Sequence, residues 1–120
     1  MLATSFDSLT TALIQSVCEG RWPESISLEF KRDAPGASDR DKHELLKDVC
    51  ALANSEGGDI VFGIDEIDGV ASEVAPIANE PADALMRRLA QTIEAGIEPR
   101  VLGIGMHRID VPGGYVLVLP

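Results

Sequence analysis

Acidic residues and one lysine flank the first apolar strand that the sequence predicts. Glu24 precedes that strand, while Glu29 and Lys31 lie within it, two positions apart and therefore on the same face. Two further carboxylates, Asp65 and Glu66, follow the next apolar strand along the chain. A strand that only had to pack would not need charged residues at these positions. These four carboxylates and Lys31 are therefore the first candidates for chemistry.

Carboxylates that meet at one edge of a sheet repel one another unless a cation lies between them. Oxygen ligands favour Mg²⁺ or Mn²⁺, and such an ion can activate water and stabilise a phosphoryl oxygen. Glu24 and Glu29 are five residues apart, so they converge only if Glu24 lies before the strand, on the preceding bend. The third metal ligand would be Asp65 or Glu66, between which the spacing does not choose. Lys31 would contact the same phosphate.

A purely structural interpretation of these residues stands beside the chemical one. Glu29 and Lys31 would then form an ordinary surface ion pair, worth less than about 1 kcal/mol. Asp65 and Glu66 would be turn residues. No organic cofactor is predicted, because the sequence contains no dinucleotide fingerprint and no phosphate-binding P-loop.

The hydrophobic periodicity predicts the elements that must position these residues. Helices are predicted over residues 1–20, 41–55 and 81–95, and strands over residues 26–31, 59–64, 70–74, 101–111 and 115–119, with a turn over 65–69. Gly20 is expected to end the first helix, and Asp41 with Glu44 resembles a capping box at the start of the second. This order implies an α/β domain in which a mixed β-sheet is sandwiched with helices.

Charge and composition restrict the function. The 120-residue chain has 20 acidic and 10 basic residues, whereas a domain that holds nucleic acid by its overall charge should be basic. Nucleic acid would therefore have to meet a local basic patch or a bridging metal ion. Two cysteines do not make a disulfide framework, and no targeting or membrane-spanning segment is visible, so a cytoplasmic protein that does not enter the membrane is expected.

The segment from Asn54 to Gly58 joins the second helix to the following strand. A helix C-terminus carries partial negative charge and does not attract phosphate, so the glycines are interpreted as turn residues. Asn54 remains a candidate for hydrogen bonding near the site. We expect residues 1–120 to form a single domain, and, because the chain stops within an apolar strand, to be the N-terminal part of a longer protein.

Two sequence blocks, residues 24–31 and 51–66, resemble the Schlafen-type AlbA domain. Residues 97–99 and 113–120 also look like it, so that the resemblance covers about residues 18–120. The resemblance implies a nucleic-acid-binding domain, of RNA or DNA, in a bacterial regulator or defence protein. The candidate nucleic-acid-binding residues are Lys31, Arg32 and Asn54.

The resemblance also implies an alternative function. In animal Schlafen proteins the related core cleaves RNA with two glutamates, an aspartate and a divalent metal. By motif position Glu24 and Glu29 match the two glutamates, and the third ligand falls at Asp65 or Glu66; Lys31 joins Glu24, Glu29 and Asp65 in the catalytic set. This chain carries one copy of the domain where the animal enzymes pair two, so a homodimer would restore the pairing. A third interpretation is an interaction or dimerisation module.

Overall fold

The structure is a computed structural model that describes residues 11–25, 28–53, 58–96 and 106–119. Within these ranges the elements are α1 (Thr11–Glu19), β1 (Leu28–Lys31), α2 (Asp39–Ala53), β2 (Asp59–Phe62), β3 (Ile64–Ile67), β4 (Val70–Val74), α3 (Ala82–Gly96), β5 (His107–Val111) and β6 (Gly114–Leu119). The parts of the predicted elements over residues 1–10, 26–27, 54–57 and 101–105 lie outside the described residues, as does Asn54. No helix in the described part of the chain is long and apolar enough to cross a membrane.

Four strands form a mixed sheet in the order β1-β2-β6-β5. β1 and β2 are parallel and are joined through α2, while β6 runs antiparallel to both of its neighbours. β3 and β4 form a separate antiparallel pair, a second sheet that the sequence analysis did not predict. The predicted α/β fold with a mixed sheet between helices is confirmed.

Alternating residues of the mixed sheet divide the core into two layers. One face packs with α1 and the β3–β4 hairpin, and its cluster includes Phe30, Val61 and Val116. The other face packs with α2 and α3 around Phe62 and Leu117. Both faces of the sheet are therefore covered, which explains the nearly continuous apolar sequences of β2 and β6.

Gly63 separates β2 from β3 and carries the chain from one sheet to the other. Its φ is 109°, a conformation that favours glycine. Its N–H donates to the carbonyl of Lys31 at 2.8 Å, and its carbonyl accepts from the N–H of Ala75 at 2.7 Å. The prediction of one strand over residues 59–64 was wrong at this point, because the positive φ turns the chain out of the mixed sheet.

The two acidic residues after Gly63 lie in a strand. Asp65 and Glu66 belong to β3, so the predicted turn over residues 65–69 was too long. The turn of the β3–β4 hairpin consists of Asp68 and Gly69, with φ values of 53° and 78°. A two-residue hairpin turn with positive φ at both positions matches the right-handed twist of its strands.

α1 ends in a Schellman motif. The N–H of Trp22 donates to the Val17 carbonyl at 3.1 Å, and the N–H of Arg21 donates to the Cys18 carbonyl at 3.2 Å. Gly20 follows the last helical residue, as predicted, and Arg21, with φ of 50°, takes the left-handed position of the motif. Gly20 serves a different purpose, since an added Cβ would lie 3.0 Å from the indole nitrogen of Trp22.

α2 begins at Asp39, two residues before its predicted start. The Oγ of Ser38 accepts a hydrogen bond from the N–H of Asp41 at 3.1 Å, which makes Ser38 the N-cap. The carboxylate of Asp41 turns back and accepts the N–H of Gly36 at 2.9 Å. Asp41 therefore lies in the first turn of α2 and is not its N-cap, so the capping box predicted for Asp41 and Glu44 lay too far along the chain.

α3 agrees closely with the predicted helix over residues 81–95. The carbonyl of Pro81 accepts the first helical hydrogen bond, from the N–H of Leu85 at 3.0 Å. Gly96 is the last residue of the helix, and an added Cβ there would collide with the side chain of Leu46 on α2. The glycine therefore permits the close approach of α2 and α3.

Candidate functional site

Glu24 is positioned by the β3–β4 hairpin. The carbonyl of Trp22 accepts the N–H of Ala71 at 2.9 Å, and the N–H of Glu24 donates to the carbonyl of Gly69 at 2.7 Å. The segment before β1 therefore runs beside β4. These backbone bonds place Glu24 at the hairpin turn.

A tight reversal then brings the chain from Glu24 into β1. Ser25 and Leu28 exchange two backbone hydrogen bonds, of 2.9 and 3.3 Å. One carboxylate oxygen of Glu24, Oε2, accepts the N–H of Phe30 at 2.9 Å. Glu24 lies before the strand and beside it, which is the placement that convergence with Glu29 required.

Glu66 is the carboxylate that meets Glu24. Burial raises the pKa of Glu24, and the hydrogen bond from the N–H of Phe30 lowers it. The charges of Glu66 and Glu29, together with a hydrogen bond to Glu66, raise it again. The resulting pKa of Glu24 lies above its ordinary value. Glu66 is itself held by the N–H of Gly69, which donates to its Oε2 at 2.7 Å. The same turn thus binds the backbone N–H of Glu24 and the carboxylate of Glu66.

Asp65 contacts residues of its own hairpin, and its carbonyl accepts a hydrogen bond from Oγ of Ser72 at 3.2 Å. Its Oδ1 accepts the N–H of Glu66 at 3.1 Å, and it lies opposite Glu73 of β4 in the strand register. Of the two alternatives for a third carboxylate, Glu66 is the one whose charge and hydrogen bond raise the pKa of Glu24.

Lys31 lies between two carboxylates from different elements. Its Nζ is 3.2 Å from Oε1 of Glu29 on β1 and 3.4 Å from Oδ2 of Asp48 on α2. Burial lowers the pKa of Lys31, but the hydrogen bonds and charges of Glu29 and Asp48 outweigh burial and raise it. Lys31 is therefore charged and already neutralised in the free protein.

Asp48 was missed by the sequence analysis. It lies three residues after Leu45 and four before Leu52, within the apolar stripe by which α2 packs on the sheet. A carboxylate at a stripe position was the signal that could have identified it, because a helix that only had to pack would carry an apolar residue there.

An open cleft of about 440 Å³ lies beside β1 and the last turns of α2. Its lining residues are Glu24, Ser25, Leu28, Glu29, Asp48, Ala51 and Leu52. A smaller cleft of about 100 Å³ is lined by both Lys31 and Asp48 together with Asp33, Asp41 and Glu44. The carboxylates of the larger cleft lie before β1, on β1 and on α2.

A divalent metal would find oxygen donors here but no gathered ligand set. The described residues contain no group of three or more His, Cys, Asp or Glu side chains arranged to hold a metal ion. Glu24 and Glu66 are in contact, whereas Glu29 is paired with Lys31. The residues therefore do not form a ready metal site, and the metal assignments of Glu24, Glu29, Asp65 and Glu66 stay predictions.

The basic residues outside the cleft fall into two groups. Arg88 is a structural residue, because it pairs with Glu80 at 2.8 Å and donates to the carbonyl of Pro35 at 2.7 Å. Its side chain is half-buried. By contrast, Arg32, which follows β1, and Lys47 on α2 are exposed.

Half of the basic residues of the chain lie between residues 31 and 47. This segment has five lysine and arginine residues against four acidic residues, a net charge of +1, while the rest of the chain carries a net charge of −11. All of it lies on the end of β1, the following loop and α2. This segment, which we call the basic segment, adjoins the smaller cleft through Lys31.

Comparison with known proteins identifies the family. A protein-family model described as Schlafen, AlbA_2 matches residues 24–120, a range that contains both sequence blocks and every residue of the cleft. No curated protein matches the chain. Membership is consistent with a nucleic-acid-related domain. Because the match covers most of its length, the chain belongs to the Schlafen AlbA_2 family.

Proposed function

We propose that this domain binds nucleic acid through the basic segment, with Lys31 and Arg32 contacting phosphate groups. The observation that carries the proposal is the distribution of charge, since half of the basic residues of this acidic chain lie in the basic segment, which adjoins the smaller cleft. Phosphate contacts by lysine and arginine supply most of the affinity in sequence-independent binding. The family assignment supports the same function.

The geometry of α2 supports a phosphate-binding face. Arg40 and Lys47 are seven residues apart, two helical turns, so they lie on the same side of α2, and both are exposed. Arg32 is exposed at the end of β1. Such a surface would follow a nucleic-acid backbone, while the net charge of −10 would confine binding to this face.

The test is a titration of fluorescein-labelled single-stranded RNA, single-stranded DNA and duplex DNA, followed by anisotropy between 50 and 200 mM salt. We expect a dissociation constant of about 10⁻⁶ to 10⁻⁴ M that weakens steeply with salt. The variant with Arg32→Glu and Lys47→Glu should lose at least about tenfold in affinity and show a shallower salt dependence.

The matched control carries Arg87→Glu and Arg108→Glu, which produce the same change in net charge at exposed positions outside the basic segment. An equal loss in both variants would mean that only total charge matters. The absence of binding by the folded protein at 50 mM salt would refute the proposal and leave an interaction or dimerisation module as the function.

A second candidate function is metal-dependent RNA cleavage. The observation in its favour is the crowding of Glu24, Glu66 and Glu29, in which burial and the two neighbouring charges raise the pKa of Glu24 against the N–H of Phe30. Crowded carboxylates are costly for folding alone and occur at functional sites. A divalent ion would be bound by oxygen donors, the ligands that Mg²⁺ and Mn²⁺ prefer.

Incubation of transfer RNA with the protein and Mn²⁺ or Mg²⁺ tests this candidate. Cleavage that is lost in Glu29→Ala and on addition of EDTA, but retained in Glu19→Ala, would support it. Glu19 is an exposed glutamate on α1, outside the cleft, and serves as the control. RNA that stays intact with the folded, metal-supplied protein would remove this candidate and leave binding.

A further inference from the structure

We propose that Asp48 regulates nucleic-acid binding by competing with phosphate for Lys31. In the free protein Asp48 holds the lysine ammonium group, and a phosphodiester must take Lys31 from it. This inference rests on the proposed function and names a residue and a control step that the family assignment does not supply.

The position of Asp48 is the first argument. Asp48 belongs to the stripe of α2 that faces the sheet. Its neighbours in that stripe are the buried residues Leu45 and Val49 and the partly buried Leu52. A carboxylate at this position loses part of its hydration, which must be offset by a charged partner. Within the part of the chain that the structure describes, the ion-pair partner of Asp48 is Lys31.

The second argument is the difference between the two carboxylates that Lys31 contacts. The Asp48 side chain is 19% exposed and that of Glu29 is 29% exposed, so Asp48 is the less hydrated partner. Glu29 lies two residues before Lys31 on the same strand and the same face. Asp48 comes from α2, so its contact with Lys31 depends on the lysine side chain reaching towards that helix.

Counterion release connects this exchange to a measurable quantity. A lysine that binds phosphate releases about one condensed counterion, which steepens the dependence of affinity on salt. In the wild-type protein the freed carboxylate of Asp48 takes up a cation from solution, which offsets that release. When Asp48 is replaced by a neutral residue, the offset disappears.

The experiment compares Asp48→Asn with wild type in binding to a labelled single-stranded RNA across 50 to 200 mM salt. We expect about fivefold tighter binding at 50 mM salt. The slope of log affinity against log salt should become steeper by about 0.7, the value for one phosphate contact on a single strand. Asp48→Ser is a second neutral variant with the same expected result, and Asp48→Glu should restore the wild-type slope.

The matched control is Asp110→Asn, which also removes one carboxylate from an ion pair, that with Arg108 at 3.2 Å. A double-variant cycle with Lys31→Met completes the test, because the gain from Asp48→Asn should vanish when the lysine is absent. Equal tightening by the variants at Asp48 and Asp110, or a gain that survives without Lys31, would overturn the inference but not the proposed function. No binding by any of these folded proteins would overturn both.

Discussion

Substitution of Glu24 tests the electrostatics of the cleft without any ligand. The pKa of Glu24 is raised in the folded protein by burial and by Glu66 and Glu29, against the effect of the Phe30 N–H. A carboxyl group with a raised pKa favours folding below its ordinary value of 4.5, and this contribution is lost as pH rises through the raised pKa. Glu24→Gln, which cannot ionise, should therefore be more stable than wild type at pH 7 and equal to it near pH 4.

Comparison of Glu24→Gln with Glu24→Ala measures what one hydrogen bond at this position contributes to the free energy of unfolding. The wild-type carboxylate accepts the N–H of Phe30 at 2.9 Å in a part-buried position. Glutamine keeps an acceptor for this donor, whereas alanine leaves it without one. A neutral hydrogen bond of this kind contributes about 1 kcal/mol, so Glu24→Gln should exceed Glu24→Ala in the free energy of unfolding by about that amount.

Urea denaturation followed by the fluorescence of Trp22 measures these differences. Trp22 is the single tryptophan of the chain and packs against the core beside α1. With an m-value of about 2 kcal/mol/M, a difference of about 1 kcal/mol moves the midpoint by about 0.5 M urea. If Glu24→Gln were less stable than wild type at pH 7, or its advantage were as large at pH 4, the inferred crowding of carboxyl groups would be refuted.

Three further predictions concern the fold. Arg21→Gly should stabilise the protein by up to about 1 kcal/mol in urea denaturation, because Arg21 has φ of 50°, and an unchanged or lower midpoint would contradict this. Gly63→Ala should lower the free energy of unfolding by about 2 kcal/mol or more, since φ is 109° and the added Cβ would meet a β6 side chain at 3.2 Å. Gly69→Ala, with open space around the added Cβ, should lower it by about 1 kcal/mol. Arg88→Ala should lower the free energy of unfolding by about 2 kcal/mol at pH 7, measured by thermal unfolding. This loss should shrink in acid, because the hydrogen bond from Arg88 lowers the pKa of Glu80. The pairing therefore stabilises the folded protein above pH 4.5 and is lost as pH falls through the lowered pKa.

Much of the fold could be predicted from local sequence patterns. The alternation of Leu28, Glu29, Phe30 and Lys31 predicted which side chains share a face of β1, and the structure places them so. The apolar stripes of α2 and α3 predicted both helices to within two residues at each end that the structure describes. These predictions succeed because strand and helix periods are properties of a few consecutive residues.

The errors arose where a local pattern had two interpretations. The apolar sequence through Gly63 was interpreted as one strand, although a positive φ at the glycine divides it between two sheets. Asp41 suits both the first and the last position of a capping box, and the hydrogen bond to Ser38 decides for the last. Backbone conformation at single residues depends on contacts that the surrounding sequence does not specify.

The candidate site shows the same division. Sequence by itself determined that Glu24, Glu29 and Lys31 would lie at or near one strand and that α2 would pack beside it, because those results depend on spacing. Only the tertiary structure decided that Glu66 rather than Asp65 meets Glu24, and that Asp48 shares Lys31 with Glu29. Those contacts join residues from three separate elements, and they depend on the register of the β3–β4 hairpin and on how α2 lies across β1. Register and helix placement result from the packing of the whole core, which no short sequence pattern contains.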